Sequence, residues 1–349
     1  MKKVVLAGYY GFQNMGDEAL LEVLILKLKE LNPHIRIFVL ANNPKEISKK
    51  LKVEAVERFN LFHLIKAFFM SDRIIFGGGG LFQDITSLKS LLYYLGLIVI
   101  AKIMRNKIYL IAQGIGPIKR KASKILISIT FKFVNEISVR DEKSYEILNK
   151  LISKNIIITA DPALLLPVHK RDLKTDELKK KVVVSLRKSP NFTKSKKDIL
   201  VQVLKKIIQE ENLKLHFLPF HGDEDKKVSI EIINMLDIDC ILEEPKTTPQ
   251  YLIRSLEGSY MVIGMRLHSL IFSSILEIPF IGLSYDPKVK SFCGTFNSPA
   301  IDLETLNPID LEKSIHDVLM LRQTYIKRIK EKLEQQKQII NNYLNKALK

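Results

Sequence analysis

The chain has 349 residues, 46% of them hydrophobic, and a formal net charge of +17. That length allows two domains of ordinary size, and the apolar content excludes a disordered chain. A strongly basic balance points to nucleic acid, an anionic membrane or phosphorylated substrates. The 55 Lys and Arg are spread along the chain without any nucleic-acid module signature, so no nucleic-acid partner is expected.

Met1-Lys2-Lys3 passes at once into an apolar run, read as a first buried strand over Lys3 to Gly8. The run is too short for a secretory leader, so a cytoplasmic location is expected. The loop Tyr9 to Gly16 leads to a helix over Ala19 to Leu31, with Asp17 and Glu18 in its first turn, where the helix dipole favours acids. Asn32-Pro33 ends it; a strand over Arg36 to Ala41, a helix over Pro44 to Leu51 and a short strand over Val53 to Val56 follow. The stretches Leu61 to Met70 and Leu91 to Met104 are very apolar, but neither reaches the ~18–20 residues of a membrane span. Core packing suits both, and contact with a membrane surface is the sharper reading. A strand from Asp72 runs into Gly77-Gly78-Gly79-Gly80, and a helix covers Ser87 to Met104. Lys107 to Ala112 is a strand ending in Gln113-Gly114-Ile115-Gly116-Pro117. A helix over Ala122 to Val134, a strand over Glu136 to Val139, a helix over Glu142 to Leu151 and a strand from Ile156 complete a doubly wound parallel sheet in residues 1–168.

Residues 169–181 are charged without apolar periodicity and are read as a linker. The alternation then restarts in a second α/β domain, residues 182–309. Its strands cover Val182 to Arg187, Lys214 to Phe220 and Cys240 to Leu242; its helices cover Lys197 to Glu211, Lys226 to Leu236 and Pro249 to Glu257. A buried strand from Tyr260, a glycine break and an apolar helix to Glu277 follow, then Pro279 to Pro287. Residues 310–349 are predicted to be mostly one long charged helix, packing through Leu311, Ile315, Val318, Leu319 and Tyr325. The expected fold class is α/β, with two doubly wound parallel-sheet, Rossmann-like domains and an active site in the cleft between them.

The junction after Tyr260 carries Gly264, Arg266, His268 and Ser269. In open α/β sheets ligands bind beyond the carboxyl ends of strands, and a helix N-terminus there offers N–H groups to an anion. The plain alternative is that Arg266 pairs with a carboxylate and His268 is a satisfied core histidine. Arg187 at another strand end would join them, and two arginines with a histidine suit a small, multiply charged anion. The four glycines lack the Lys-Ser/Thr of a phosphate-binding loop, and neither the glycines from Gly8 to Gly16 nor Gly114 and Gly116 have dinucleotide spacing. Cys240 and Cys293 match no metal or redox spacing, so free thiols are expected. Asp223-Glu224-Asp225 looks like an acidic metal triplet but is better read as a solvated turn. Asp141 and Asp161 are read as plain structural residues.

Together the segments Gly8 to Glu18, Gly77 to Asp84, Gln113 to Pro117, Arg140-Asp141, Ala160 to Pro162, Ser185 to Arg187, Gly264 to Ser269 and Tyr285 to Val289 resemble the polysaccharide pyruvyltransferase family, of the type acting in cell-surface anchoring. Gln13 departs from the glycine expected in the first loop. The resemblance implies a GT-B-like fold, with acceptor binding in the first domain and donor binding in the second. It implies phosphoenolpyruvate as donor, with no further cofactor and no metal. The implied acceptor is N-acetylmannosamine on a lipid-linked precursor, the product a 4,6-pyruvate ketal with release of phosphate, and the polymer a ligand of surface-layer proteins. Arg187, Arg266 and Ser269 are expected at the donor, with His268 as proton carrier. Asp17 is the candidate base for the sugar. Asn14, Gly16, Glu18, Gly79, Gly80, Asp84 and Gln113 are expected at the acceptor. A lipid-linked acceptor further implies a peripheral place on the inner membrane face, and an oligomer is left open. A GT-B nucleotide-sugar glycosyltransferase of the cell envelope is the competing reading, and a non-catalytic basic protein the third.

Overall fold

The computed structural model describes residues 3–85, 87–168, 181–245 and 248–349, so all but Lys181 of the expected linker lies outside the described residues. The chain forms two compact units, one of Met1–Leu166 with Gln336–Lys349 and one of Pro167–Gln335.

The first unit is built on seven parallel strands: β1 (Lys3–Tyr10), β2 (Arg36–Ala41), β3 (Glu54–Glu57), β4 (Arg73–Gly77), β5 (Lys107–Gln113), β6 (Glu136–Val139) and β7 (Ile156–Ile158). Their order is β3-β2-β1-β4-β5-β6-β7. Val4 to Ala7 are buried on both faces of β1, as a central strand covered by helices on each side requires. The helices are α1 (Met15–Leu31), α2 (Pro44–Leu51), α3 (Leu61–Phe69), α4 (Leu88–Ile103), α5 (Lys121–Thr130) and α6 (Glu142–Asn149). α1 begins at Met15, four residues before the expected start, so Asp17 and Glu18 lie inside it and are buried. Strand order reverses between β1 and β4, and the loop 11–14 and the glycine turn 78–80 both leave the sheet there, so the expected Tyr9 to Gly16 loop is shorter at both ends. That reversal is where such sheets bind ligands.

The second unit repeats the plan with β8 (Lys181–Ser185), β9 (Lys214–Phe217), β10 (Ile241–Leu242), β11 (Met261–Gly264), β12 (Phe280–Ser284) and β13 (Ala300–Asp302), in the order β10-β9-β8-β11-β12-β13, all parallel. Its helices are α7 (Lys194–Glu211), α8 (Gly222–Leu236), α9 (Pro249–Leu256), α10 (Leu267–Ile275), α11 (Pro287–Thr295), α12 (Pro308–Met320) and α13 (Arg322–Ala347). The reversal here lies between β8 and β11, bringing the Ser185 and Gly264 strand ends side by side.

Three expectations change. α11 and β13 occupy residues that carried no predicted element; β13 is three partly exposed residues, too short to leave a periodic signal. α8 starts at Gly222 rather than Lys226, so the acidic triplet is its first turn, where unsatisfied N–H groups favour carboxylates. The tail is two helices, because Leu321 leaves helical geometry and Arg322 turns to the Tyr260 carbonyl at 3.2 Å. The five apolar tail residues do pack into the second unit's core. The last residues of α13 belong instead to the first unit, where Arg73 donates to the carbonyls of Leu348 and Lys349 at 3.2 and 3.1 Å.

Candidate active site

In the second unit, three helices point their N-termini at the strand ends: α8 after β9, α10 after β11 and α11 after β12. Unsatisfied N–H groups and the helix dipole make such ends attractive to anions. Arg187 lies two residues beyond β8. Its Nη1 donates to the Tyr285 hydroxyl at 2.5 Å, and its guanidinium lies 4.4 Å from that ring's centre. Lys288, on the first turn of α11, sits 5.9 Å from the same ring and 3.4 Å from Asp286. Burial pushes the Tyr285 phenol up, but Lys288, Arg187 and Arg266 together outweigh it and bring the phenol below its ordinary value. Arg187 and Lys288 thus meet at one phenol. Among the described residues, Arg187 contacts no carboxylate.

Arg266 behaves differently. It is the N-cap of α10, and its guanidinium grips Asp225 in a forked pair, Nε to Oδ2 at 2.9 Å and Nη2 to Oδ1 at 2.5 Å. Asp225 is 0% exposed and also accepts from the amides of Phe220 and His221 at 3.2 and 2.9 Å. Of the expected solvated turn, Asp223 and Glu224 are exposed, but Asp225 is buried in an ion pair joining α8 to α10. Sequence separation of 41 residues hid it, since neither partner lies in the other's local pattern. Arg266 also approaches His221 Nδ1 at 3.4 Å, adding a second imidazole to the cluster.

His268 is the second residue of α10, half-buried, with its ring edge-on to Phe272 at 6.4 Å. Ser269 is fully buried and its hydroxyl donates to the Arg266 carbonyl at 2.6 Å. A side chain on Gly264 would stand 2.3 Å from that hydroxyl, which is why the strand ends in glycine. Ser269 therefore closes the first turn of α10. A groove of about 320 Å³ between α7 and α12 sets Glu210, Glu211 and Glu312 against Lys313 and His316, an acidic balance that does not suit an anionic donor.

In the first unit the loop after β1 meets the glycine turn after β4. Asn14 donates to Asp17 at 2.5 Å. Gly79 has φ +77°, and a Cβ there would lie 2.7 Å from Asp17 Oδ1, so both conformation and space demand glycine. Asn14, Gly16, Asp17, Gly79 and the exposed Gly80 thus gather at the strand ends of β1 and β4. Glu18 instead accepts from the Gly11 amide at 2.7 Å, holding the loop; burial pushes its carboxyl up, against the pull of that amide. Gln113 is 0% exposed, and its amide nitrogen donates to the carbonyls of Phe76 and Ile111 at 2.9 and 3.2 Å. Its geometry ties β4 to β5. Asp141 caps α6, accepting from Ser144 at 2.8 Å, and Asp161 pairs with Arg140 at 2.8 Å, both structural as expected.

Asp84 is also a loop anchor. Its two oxygens each accept an amide, from Lys119 and Arg120, at 2.8 Å. Burial raises a carboxyl, but here the two amides, helped by Ser123 and Arg120, overcome it and hold Asp84 below the ordinary aspartate value. A depressed folded-state value means stability present above the unfolded value of about 3.9 and lost as pH falls through the folded one. Asp84→Asn is therefore expected to unfold at lower urea than the parent at neutral pH, with the gap closing below about pH 4. An unchanged gap across that range would remove the charge from the account.

Sequence reading missed Arg58, which carries no motif. It is 4% exposed, and its guanidinium lies within 5.6 Å of the ring centres of Phe12, Phe59, Tyr93 and Tyr94. It donates to the Gly8 carbonyl and the Tyr94 hydroxyl, both at 3.3 Å. A cation enclosed by aromatic faces is favourable without a carboxylate. Phe12 belongs to the loop after β1, so the cage holds that loop against the first unit. Only the run of aromatics in Phe59, Tyr93 and Tyr94 hinted at it. Among the described residues, no group of three His, Cys, Asp or Glu side chains has metal-binding geometry.

Two parallel six- and seven-stranded Rossmann-like units, with ligand-ready strand ends in each, define a GT-B-like protein. The UDP-GlcNAc 2-epimerase of Neisseria meningitidis, bound to UDP-GlcNAc, superposes with a TM-score of 0.65 at 12% identity, over 99% of this chain and 100% of that one. A glycosyltransferase from Rickettsia africae ESF-5 gives 0.61 at 14% identity, over 99% and 95% of the two chains. MurG of Acinetobacter baumannii gives 0.56 at 11%, over 99% and 98%. At such identities the likeness concerns the fold alone. No curated protein matches the chain. The family model of polysaccharide pyruvyl transferases matches residues 14–287, and the chain belongs to that family. It is a transferase, and its acceptor class is polysaccharide.

Proposed function

We propose that the protein transfers the enolpyruvyl group of phosphoenolpyruvate to a cell-wall polysaccharide precursor, forming a 4,6-pyruvate ketal and releasing phosphate. The observation that carries this reading is Arg187, half-buried at a strand end, free of carboxylates among the described residues and converging with Lys288 on Tyr285. A donor with a carboxylate and a phosphate requires such cations, and the N-termini of α10 and α11 add N–H groups. Arg266 contributes as a partly neutralised cation that fixes the geometry of α10.

The chemistry needs a proton delivered to C3 of the enol, which makes C2 cation-like. One sugar hydroxyl adds at C2 and loses its proton. The C2–O bond to phosphate breaks, and phosphate leaves with the bonding pair. The second hydroxyl then closes the ring and gives up its proton. His268 is the group suited to carry these protons near neutral pH. Asp17, oriented by Asn14, is the candidate to accept one from the sugar, with Gly16, Gly79 and Gly80 giving the sugar close access. The motif resemblance supports β-N-acetylmannosamine on a lipid-linked carrier as the acceptor, at the cytoplasmic face, in a polymer that anchors surface-layer proteins. No further cofactor enters this scheme.

The test is phosphate release from phosphoenolpyruvate by the purified protein, with and without a β-N-acetylmannosaminyl acceptor. Acceptor-dependent release, with a product heavier by a pyruvyl group, is the expected result. Neither release nor donor binding, together with tight binding of a nucleoside diphosphate, would replace this reading with a nucleotide-sugar transferase.

A further inference from the structure

α3, α4 and α5 pack side by side on one face of the seven-stranded sheet, burying Leu64, Phe68, Leu91, Ile98 and Ile127 in one core. Their outward faces are apolar too. Phe62 and Phe69 of α3 are 73% and 78% exposed, and Leu92, Ile103, Ile125 and Ile129 extend the patch across α4 and α5. Large contiguous apolar surface of this kind marks a contact site. No helix among the described residues is long and apolar enough to cross a membrane.

Charge selects the partner. Residues 61–132 contain eleven Lys and Arg against Asp72 and Asp84 alone, and Asp84 is buried. None of the three helices carries an acid, while Lys66, Lys102, Lys121 and Lys124 stand exposed on them beside the apolar residues. The chain as a whole is far less one-sided, with 55 basic and 38 acidic residues. Protruding Phe, Leu and Ile among cations, on helices that carry no acid, match the acyl and headgroup layers of an anionic bilayer.

We propose that this three-helix face docks the protein on an anionic lipid bilayer, as a peripheral contact. The proposal rests on the pyruvyltransferase reading only for its purpose, presenting the first unit's strand ends to a lipid-carried acceptor. Phe59 links the two: it is 67% exposed beside the patch, and its ring flanks the Arg58 cage that holds Phe12 of the acceptor loop.

The experiment is co-sedimentation of the full chain, without substrates, with vesicles of phosphatidylcholine alone or mixed with phosphatidylglycerol. The parent is expected to bind the mixed vesicles, and binding should weaken as salt rises. Phe62→Ser/Phe69→Ser, at positions too exposed to support the core, should lower the partition coefficient by tenfold or more, roughly the effect of removing two inserted side chains. Lys121→Gln/Lys124→Gln should lower it roughly fivefold per charge. Phosphate release with a short, water-soluble acceptor should be unchanged in all variants. No binding of the parent to mixed vesicles, or equal binding by the Ser variant, would overturn the proposal. So would a dimer in sedimentation velocity that the Ser variant abolishes while vesicles stay unbound, which would assign the face to a second copy of the chain. Failure of phosphate release in the parent, with vesicle binding intact, would sink the reaction and leave the docking face standing.

Discussion

Alanine at Arg187 is expected to lower kcat/KM for phosphoenolpyruvate by about 10²–10³-fold, the loss typical of one charge-stabilising donor. The side chain lies outside the core and pairs with no carboxylate among the described residues, so the folded structure should survive its removal. Alanine at His268 is expected to cost about 10²–10⁴ in kcat, as for loss of a proton-transfer group. The two variants should differ in kind. Arg187→Ala should raise KM for the donor, because a clamp acts in binding as well as in the transition state. His268→Ala should act mainly on kcat and flatten the pH–rate profile near neutrality. Near-parental rates in both would dismiss the strand ends of β8 and β11 as the donor site.

Alanine at Asp225 is expected to destabilise the protein by about 3–5 kcal/mol, read from urea unfolding, because it strands the Arg266 charge in a mostly buried place. Arg266 is 13% and Asp225 0% exposed at the side chain, so solvent screens the pair little. Asp225 also satisfies two backbone amides at the entry to α8, which would be left without their acceptor. Arg266→Ala should be destabilising by a similar amount, and the double variant by much less than the sum, since removing both partners leaves no orphaned charge. Additive losses, or losses under about 1 kcal/mol, would show that the pair does not link the two helices energetically. A loss of turnover in Arg266→Ala mixes a missing cation with a loosened α10, so Arg187 is the cleaner probe of the donor clamp.

The alternating architecture was readable from local pattern. Apolar runs such as Val4 to Ala7 and Val182 to Val184 are buried on both faces, and parallel strands flanked by helices leave that continuous signal. Strand β2 and helix α2 have the boundaries that composition and Pro44 set for them. The glycines also spoke for themselves, since Gly79 and Gly264 mark places where a side chain has no room. What each polar motif residue does was not readable. Gln113, Asp84, Ser269 and Glu18 sit in the same motifs as Arg187 and Asp17, yet their side chains are taken up by backbone groups that only folding brings near. The Asp225–Arg266 pair and the Arg58 cage join residues tens of positions apart, and no periodicity reports such contacts.

The amino-acid order by itself determined two Rossmann-like sheets, a family and the glycine-marked loops at strand ends, because periodicity, glycine and strand-end position are local properties. Only the tertiary structure decided which charges are already neutralised and which face outward. Arg266 meets its carboxylate and Arg187 meets a phenol, and apolar side chains of α3, α4 and α5 are left uncovered. Pairing and exposure depend on what packs opposite a residue, and in a parallel sheet that neighbour comes from a distant part of the chain.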